Sequence, residues 1–414
     1  MLSKNSVPVF FVLVAFPLVI NAACRQSFMT ICDTFDDFKN YKNTQNVKEL
    51  IIGSETGSAK SSVNLMETLK LEKFQLSTLI IIGSINQLEM TYHYECLYAS
   101  SPLKYLSLYG NELKRIERYH FPLIPLKTFS LVNNKIESIQ AEALKHNDAE
   151  TLDLSDNFLQ TIEYSSLPLT RTTKVIAIRN NKLTHIEPNS FPSSLLSLHL
   201  DNNNLWHLQD GVLGDLDKLQ ELTLSHNKFK EIPDVRHLKQ LVIFDMSHNE
   251  IKFVEKWAFK QMENLQLVDL SNNVIASHFI LKWLDVPNKQ PTLTISLAFN
   301  RLRDLDLANL PLQNKTFILY GNPWNCSKWN ELKSALRGHE TKCDMAFLAN
   351  ERYPYCINYT PGVYRFEGLW ENDIDKFHEA VQKNDNLAEC GLAVAKYQVL
   401  NPVHFFCTFI KDTS

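Results

Sequence analysis

Glycine is scarce in this sequence, with 11 residues among 414. Neither a GxGxxG string nor a Walker-type string occurs, so the sequence does not support a phosphate-cradling loop. Contiguous runs of lysine or arginine, of the kind that bind phosphates or anionic lipid, are also missing, and the formal net charge is only −4. These absences argue against nucleotide binding and against nucleic acid as a partner.

After residue 20 the sequence lacks an uninterrupted apolar run long enough to span a membrane. Even the apolar stretch 391–410 is broken by polar residues such as Lys396. Residues 7–20 form a short apolar run that follows Lys4 and precedes Ala22 and Ala23. This arrangement predicts a cleaved secretory signal over residues 1–23 and a soluble protein that is released to the extracellular space.

Two other interpretations of this leader are less favoured. An uncleaved anchor is disfavoured because the run is short and contains Pro8 and Pro17. A bacterial lipoprotein signal would fit the AAC string at residues 22–24, but Asn21 stands where that signal usually has leucine.

Eight cysteines are present, and secretion favours disulfide bonds over metal binding or nucleophilic catalysis. Two lie near the start and five lie after residue 325, so we expect covalent links at both ends of the chain. Cys96 lies far from both groups, and it is either free or cross-links a partner. The disulfide candidates are Cys24, Cys32, Cys326, Cys343, Cys356, Cys390 and Cys407. Three Asn-x-Ser/Thr sequons predict glycosylation at Asn314, Asn325 and Asn358.

One phrase, LQELTLSHNKF from Leu219, recurs along the chain in ten closely related copies. Each copy follows the template LxxLxLxxNxL, and all but one of the intervals between its asparagines is 22 to 24 residues. The asparagines are Asn111, Asn134, Asn157, Asn181, Asn203, Asn227, Asn249, Asn273, Asn300 and Asn322. The template predicts one short strand per repeat, stacked into a parallel sheet, with the asparagine amide satisfying backbone groups inside the turn.

The position of the repeats predicts how the chain is divided into domains. We predict an N-terminal cap over 24–46 tied by Cys24 and Cys32, leucine-rich repeats over 47–322, a cysteine-containing C-terminal cap over 321–360, and a partly helical extension over 361–414. VKELIIGSE and LSTLIIIGS, which precede the clear array, keep the apolar strand pattern without the asparagine. Counting both of them gives about twelve coils.

The repeats and the NPWNC string starting at Asn322 resemble extracellular leucine-rich repeat proteins with cysteine-bearing flanks. That group includes Toll-type and Slit-like ectodomains and the secreted leucine-rich immune proteins of insects. The resemblance implies an α/β solenoid shaped as a horseshoe, with a concave parallel β-sheet, an irregular or 3-10 convex side and disulfide-stapled caps. The usual flank has Cys-x-Cys, whereas this chain has Cys326, Ser327 and Lys328, so the preferred pair is Cys326 with Cys343. The C-terminal coiled coil of many insect members is absent.

Binding is expected at the third, fifth and seventh template positions, because these side chains should be exposed on the concave face. The predicted partner-binding residues are Tyr105, Tyr109, Asp153, Arg179, His199, Asp201, Glu221, Asp245, Asp269 and Tyr320, with Ser155, Ser247 and Ser271 beside them. This mildly acidic stripe suits a basic protein surface or a hydrogen-bonding glycan. Alternatively these are solvated strand residues and binding lies on an edge or flank. His226 and His248 form either a pH-sensitive pair or ordinary turn residues.

The sequence predicts a secreted recognition protein that binds another extracellular protein, with innate immunity favoured and adhesion or guidance signalling as the alternative. A disulfide-linked or non-covalent dimer is also allowed. Catalysis is disfavoured because no nucleophile-elbow string occurs, and Cys390, His404 and Cys407 fit disulfide chemistry better than a metal site. No catalytic residue, cofactor or metal is expected.

Overall fold

The computed structural model describes residues 24–26, 30–33, 37, 47–53, 61–63, 76–89, 102–121, 124–144, 147–168, 170–278, 280, 293–306, 315–335, 337 and 356–357. Several predictions fall outside these residues: the signal peptide over 1–23, the extension over 361–414, Cys96, Cys343, Cys390, His404, Cys407, Asn314 and Asn358.

One sheet of 14 strands runs through the described part of the chain. Its members are β1 (Cys24–Gln26), β2 (Thr30–Cys32), β3 (Glu49–Gly53), β5 (Thr78–Ile82), β7 (Tyr105–Tyr109), β9 (Leu126–Ser130), β11 (Ala149–Asp153), β13 (Val175–Ala177), β15 (Ser197–His199), β16 (Glu221–Thr223), β17 (Ile243–Asp245), β18 (Leu267–Asp269), β19 (Leu293–Ser296) and β20 (Lys315–Ile318).

Short elements lie outside this sheet. They are β4 (Ser61–Val63), β6 (Ile85–Leu88), β8 (Arg115–Ile116), β10 (Ser138–Ile139), β12 (Thr161–Ile162), β14 (His185–Ile186), β21 (Trp324–Asn325), α1 (Cys326–Ala335) and β22 (Cys356–Ile357). On the return path of neighbouring coils, β8 pairs in parallel with β10, and β12 pairs in parallel with β14.

From β2 to β20, successive strands of the main sheet pair in parallel, and each coil adds one strand. Alternate side chains of a strand point to opposite faces, so the leucine-type positions share one face. Leu198, Leu222, Phe244 and Val268 are consecutive partners in this stack, and all are fully buried. The predicted parallel-strand solenoid is therefore confirmed.

Each template asparagine links its coil to the preceding one. Asn227 Nδ2 donates to the carbonyls of Leu200 (2.9 Å), Leu224 (3.1 Å) and Ser225 (3.2 Å), and its Oδ1 accepts from Leu205 N (3.0 Å). The same bonds recur at Asn249 and Asn273. All ten of these asparagines are buried.

The residue before each asparagine adopts a left-handed conformation that lets the chain leave the strand. Its φ is 53° at Asn180, Asn202 and Asn272, and glycine takes this position at 110 and 321. Asparagine tolerates this region better than most residues. At Gly321 the space is also limited, because a Cβ atom would lie 2.7 Å from the ring of Phe299.

The return path is irregular, as predicted for the side opposite the sheet. Turns with i→i+3 backbone bonds, such as Val212 N to Gln209 O (3.1 Å) and Met262 N to Phe259 O (3.1 Å), replace longer helices there. The described residues contain no helix with the length and apolarity needed to cross a bilayer.

Both ends of the solenoid differ from its middle. β1 pairs antiparallel with β2, which places Cys24 directly opposite Cys32. At the other end β21 leads into α1, and Trp324 and Leu332 are buried against the last coils. The cap boundaries, the cysteine pairings and glycosylation at Asn325 stay predictions.

Replacing Asn227 with alanine should destabilise the solenoid, because the buried Leu205 N loses its acceptor and three carbonyls each lose one of their two donors. A buried group left unpaired costs about 1 to 3 kcal/mol, so we expect a loss of at least this size in the free energy of unfolding. Asn204→Ala is the control, since Asn204 lies one coil away, is only partly buried and uses its backbone N–H alone, bonded to Leu183 O (2.9 Å). Equal urea midpoints for the two variants would contradict the role of the buried asparagine in stabilising the solenoid.

Candidate functional site

The concave face comprises the template positions three, five and seven, which the parallel register aligns in three rows. The second row brings Asp153, His199, Thr223, Asp245 and Asp269 onto successive or nearby strands. The structure therefore gathers the predicted central residues on one face, as the spacing of the template requires.

The expected exposure of these residues was wrong. His199 is 0%, Asp153 3%, Asp269 4% and Asp245 5% exposed, and Asp201 and Tyr320 are also buried. Parallel strands lie about 4.8 Å apart, so a side chain in the middle of such a sheet is covered by those of the adjacent coils. Arg179, Glu221, Tyr105 and Tyr109 keep partial exposure.

Three of the buried aspartates have a local structural task. The Oδ1 atoms of Asp153, Asp245 and Asp269 each accept a hydrogen bond from the backbone N–H two residues later, at 2.9, 2.9 and 2.8 Å. The residue that donates is a serine in every case, so Asp-x-Ser marks the point where the strand ends. A carboxylate used in this way satisfies a backbone donor inside its own coil.

Asp201 is the centre of a network that joins three coils. It accepts from Arg179 Nε (3.1 Å), from Thr223 Oγ1 (2.5 Å), and from the N and Oγ of Ser225 (3.1 and 3.0 Å). His199 Nδ1 lies 3.1 Å from Thr223 Oγ1. The acceptor capacity of Asp201 is thus largely used within the protein.

Burial changes the acidity of this face. Desolvation raises the pKa of Asp245 well above its usual value, and the charges of Asp269 and Asp201 raise it further. Desolvation also raises the pKa values of Asp269, Asp153 and Glu221, although hydrogen bonds from serine oppose it at Asp269 and Asp153, and Arg179 opposes it at Glu221. Burial therefore disfavours the ionised form of these four carboxyl groups on the concave face.

The first coils carry an apolar group in which the two tyrosines were predicted from the sequence and the isoleucines were not. Ile51 is the register partner of Ile80, and Ile82 is the partner of Tyr109. All four side chains are partly exposed. Tyr105 lies on the same face beside Thr78. The sequence signal was the TLIII string, which places isoleucine at the outward template positions where later coils have polar residues.

His226 and His248 stack on each other one coil apart. Their ring centroids lie 3.9 Å apart with an interplanar angle of 10°, and both residues have a positive φ. Burial and then the neighbouring His226 lower the pKa of His248 to about 4. Both histidines occupy the left-handed turn position that asparagine fills in the coils on either side.

Within the described ranges no group of three or more His, Cys, Asp and Glu side chains is arranged to hold a metal ion. The chemistry that this face offers is hydrogen bonding, ionic contact and apolar contact from a rigid parallel sheet.

A solenoid of strand-and-turn coils joined by buried asparagines defines the class of leucine-rich repeat proteins. The family model for leucine rich repeats matches residues 171–229 and 193–251. Together with the relatives described next, this match shows that the chain belongs to the leucine-rich repeat family.

The chain is 31% identical to rabbit (Oryctolagus cuniculus) fibromodulin over 139 residues, which cover 33% of this chain and 86% of that sequence. It is 32% identical to mouse (Mus musculus) podocan-like protein 1 over 172 residues, which cover 39% of this chain. That alignment spans 30% of podocan-like protein 1, and the alignment with bovine (Bos taurus) osteomodulin spans 29% of its length.

Among solved structures, the APL1 leucine-rich repeat domain has a TM-score of 0.54 and is 18% identical. The similarity covers 73% of this chain and 75% of that domain. At this identity the likeness supports the fold alone.

Changing Asp245 to asparagine should stabilise the protein at neutral pH. The folded-state pKa of Asp245 is raised, so ionisation costs stability at neutral pH, and stability is recovered as the pH falls towards the ordinary aspartate value near 3.8. Asparagine retains the acceptor for Ser247 N and removes the charge. We expect a melting temperature at pH 7 that is a few degrees higher and a weaker rise between pH 7 and pH 4.

Asp234→Asn is the matched control for this experiment. Asp234 is bound by Arg236 on the surface, which lowers its pKa to about 2, so its charge is not destabilising. This control should not raise the melting temperature. A lower melting temperature for Asp245→Asn at pH 7 would show that the ionised carboxylate is required.

Proposed function

We propose that this protein is a secreted recognition protein that binds another extracellular protein through the concave face of its leucine-rich repeats. The observation that carries the proposal is the apolar group of Ile51, Ile80, Ile82, Tyr105 and Tyr109. These side chains share a rigid face, are partly exposed and have no role in linking the coils through asparagine.

The contact is proposed to extend from this group towards Arg179 and Glu221. Tyrosine and arginine are enriched among residues that dominate protein interfaces, and an apolar centre with a polar border is the usual arrangement. Asp153, Asp201, Asp245, Asp269 and His199 then support the surface from beneath instead of contacting the partner through exposed side chains.

A protein partner is favoured over a glycan at this end. Aliphatic side chains such as Ile80 and Ile82 offer no hydrogen bond, whereas a glycan needs several. An enzymatic role is disfavoured, since the leucine rich repeats matched by the family model build a scaffold and the polar groups bonded to Asp201 are already engaged with each other.

Innate immunity is the proposed setting, on the basis of the leader-like N-terminus and the resemblance of the repeats and the NPWNC flank to secreted immune proteins. Adhesion or guidance signalling is the second candidate. The relatives include proteins named fibromodulin and osteomodulin, and these names do not indicate immunity. The two settings therefore need a direct test. Infection-dependent expression with recovery from body fluid favours immunity, whereas restriction to particular neurons or muscle overturns it.

Replacing Ile80, Ile82 and Tyr105 with threonine should strongly reduce partner capture from native extracellular fluid. Threonine suits a strand and already occupies the row of Tyr105 at Thr128 and Thr151, so the fold is expected to remain. Loss of an interface centre of this kind weakens binding by about tenfold or more. The measurement is quantitative mass spectrometry of proteins captured by tagged full-length variants.

Tyr164→Thr is the control, because Tyr164 is an exposed tyrosine away from the concave face. Partners that bind wild type and this control but not the triple variant support the proposal. Capture that is unchanged in the triple variant places the binding surface elsewhere.

A further inference from the structure

The coil that follows Asn249 carries exposed aromatic and basic side chains on its return path. Phe253 is 50% and Trp257 49% exposed, and Lys252, Lys256 and Lys260 around them are also exposed. We name these five residues the basic aromatic patch. The lysines form no contiguous run in the sequence, because three other residues separate each lysine from the next.

The backbone holds this patch in place. Val254 and Phe259 are buried in the core between its members. Lys260 N donates to Trp257 O (3.1 Å), and Ala258 N donates to Glu255 O (3.2 Å). The exposed side chains therefore project from a turn whose position is fixed by the solenoid.

Trp257 occupies a backbone conformation that does not favour an aromatic side chain. Its φ is 68°, and the same position, eight residues after the template asparagine, holds Tyr119, Glu142, Ser165, Asn189 and Gly211 in other coils. A bulky residue in the left-handed region is strained, and such strain persists where another requirement selects the residue. The fold itself accepts small or polar residues at this turn, so tryptophan is not needed for folding.

The lysines of the patch are not neutralised by carboxylates. Lys256 Nζ lies 4.2 Å and Lys260 Nζ 5.2 Å from the centroid of the Trp257 ring. Among the described residues no ion pair involves Lys252, Lys256 or Lys260, although the exposed Glu255 lies in the same turn. Lys252 also lies beside Lys230 of the preceding coil, through Lys252 N to Lys230 O at 3.3 Å.

We propose that the basic aromatic patch is a second binding surface, separate from the concave face, that docks on an anionic lipid surface. Half-exposed tryptophan and phenylalanine enter the boundary between headgroups and acyl chains, while adjacent lysines contact anionic headgroups. Phe253 and Trp257 are about half exposed on this turn, whereas small soluble ligands bind in concave pockets that bury most of their surface. Phe253 offers only apolar contact, which lipid accepts and a soluble polyanion does not require.

The test measures co-sedimentation of the full-length protein with vesicles of phosphatidylcholine, either alone or mixed with phosphatidylglycerol. Wild type should bind the mixed vesicles, bind the neutral ones much less, and be released by salt. Each lysine changed to glutamine should weaken partitioning about fivefold. Trp257→Asn and Phe253→Ser should each weaken it strongly.

Trp257→Asn also separates binding from folding, because asparagine suits the left-handed turn. Its melting temperature should equal or exceed that of wild type while vesicle binding falls. Tyr119→Asn is the matched control: Tyr119 has the same φ of 68° and is 40% exposed, but the adjacent Arg118 is paired with Glu142 at 3.0 Å. This control should leave vesicle binding unchanged.

Three outcomes overturn the proposal. These are equal binding of neutral and anionic vesicles, equal loss in Tyr119→Asn, and binding to soluble dextran sulfate without binding to vesicles. The last outcome assigns the patch to polyanionic glycans. None of these results bears on the concave proposal, because the threonine variants of that face leave the patch intact.

Discussion

The buried asparagine amide is the interaction on which the rest of this structure depends. Each coil must leave its strand and turn inside a dry core, where carbonyl and N–H groups have no water to bind. At Asn227 one side chain serves three carbonyls and one N–H, drawn from its own coil and the preceding one. Backbone groups are satisfied and adjacent coils are joined by the same bonds, so in the coils that carry it one residue type both closes the turn and ties the coil to its neighbour.

That alignment determines what the concave face can do. In a parallel sheet in register, equivalent positions stand directly beside each other, so similar residues form continuous rows. Where the row holds aspartate, as at Asp245 and Asp269, neighbouring carboxylates are both buried, and burial and then the charge of Asp269 raise the pKa of Asp245. Where the row changes character, as at Ile80 and Tyr105, side chains of different shape stand next to each other and remain partly exposed. The partly exposed isoleucines and tyrosines therefore fit specific recognition better than the buried aspartates do.

The fold was predictable from the sequence because its determinants are periodic. The template fixes which residues enter the core, and Leu222, Leu224 and Asn227 are all buried as expected. Exposure of the intervening residues was not predictable in the same way, since it depends on how closely the next coil approaches. Asp153 occupies an outward position in its strand, yet its neighbours cover it and its carboxylate binds Ser155 N. The strain at Trp257 was also invisible in sequence, because the backbone angle that makes tryptophan unusual there is known only from the structure.

A repeat protein tolerates backbone strain in a single turn. Its stability is approximately a sum of terms for single coils and for contacts between neighbours, so strain in one turn is not amplified through a shared core. The coil after Asn249 keeps its asparagine bonds and its buried Phe259 while it presents Trp257 outward. Residues that the template leaves free therefore carry the information about function. The most informative of these are residues in an unfavourable backbone conformation and carboxylates buried away from water. Folding alone does not account for their presence.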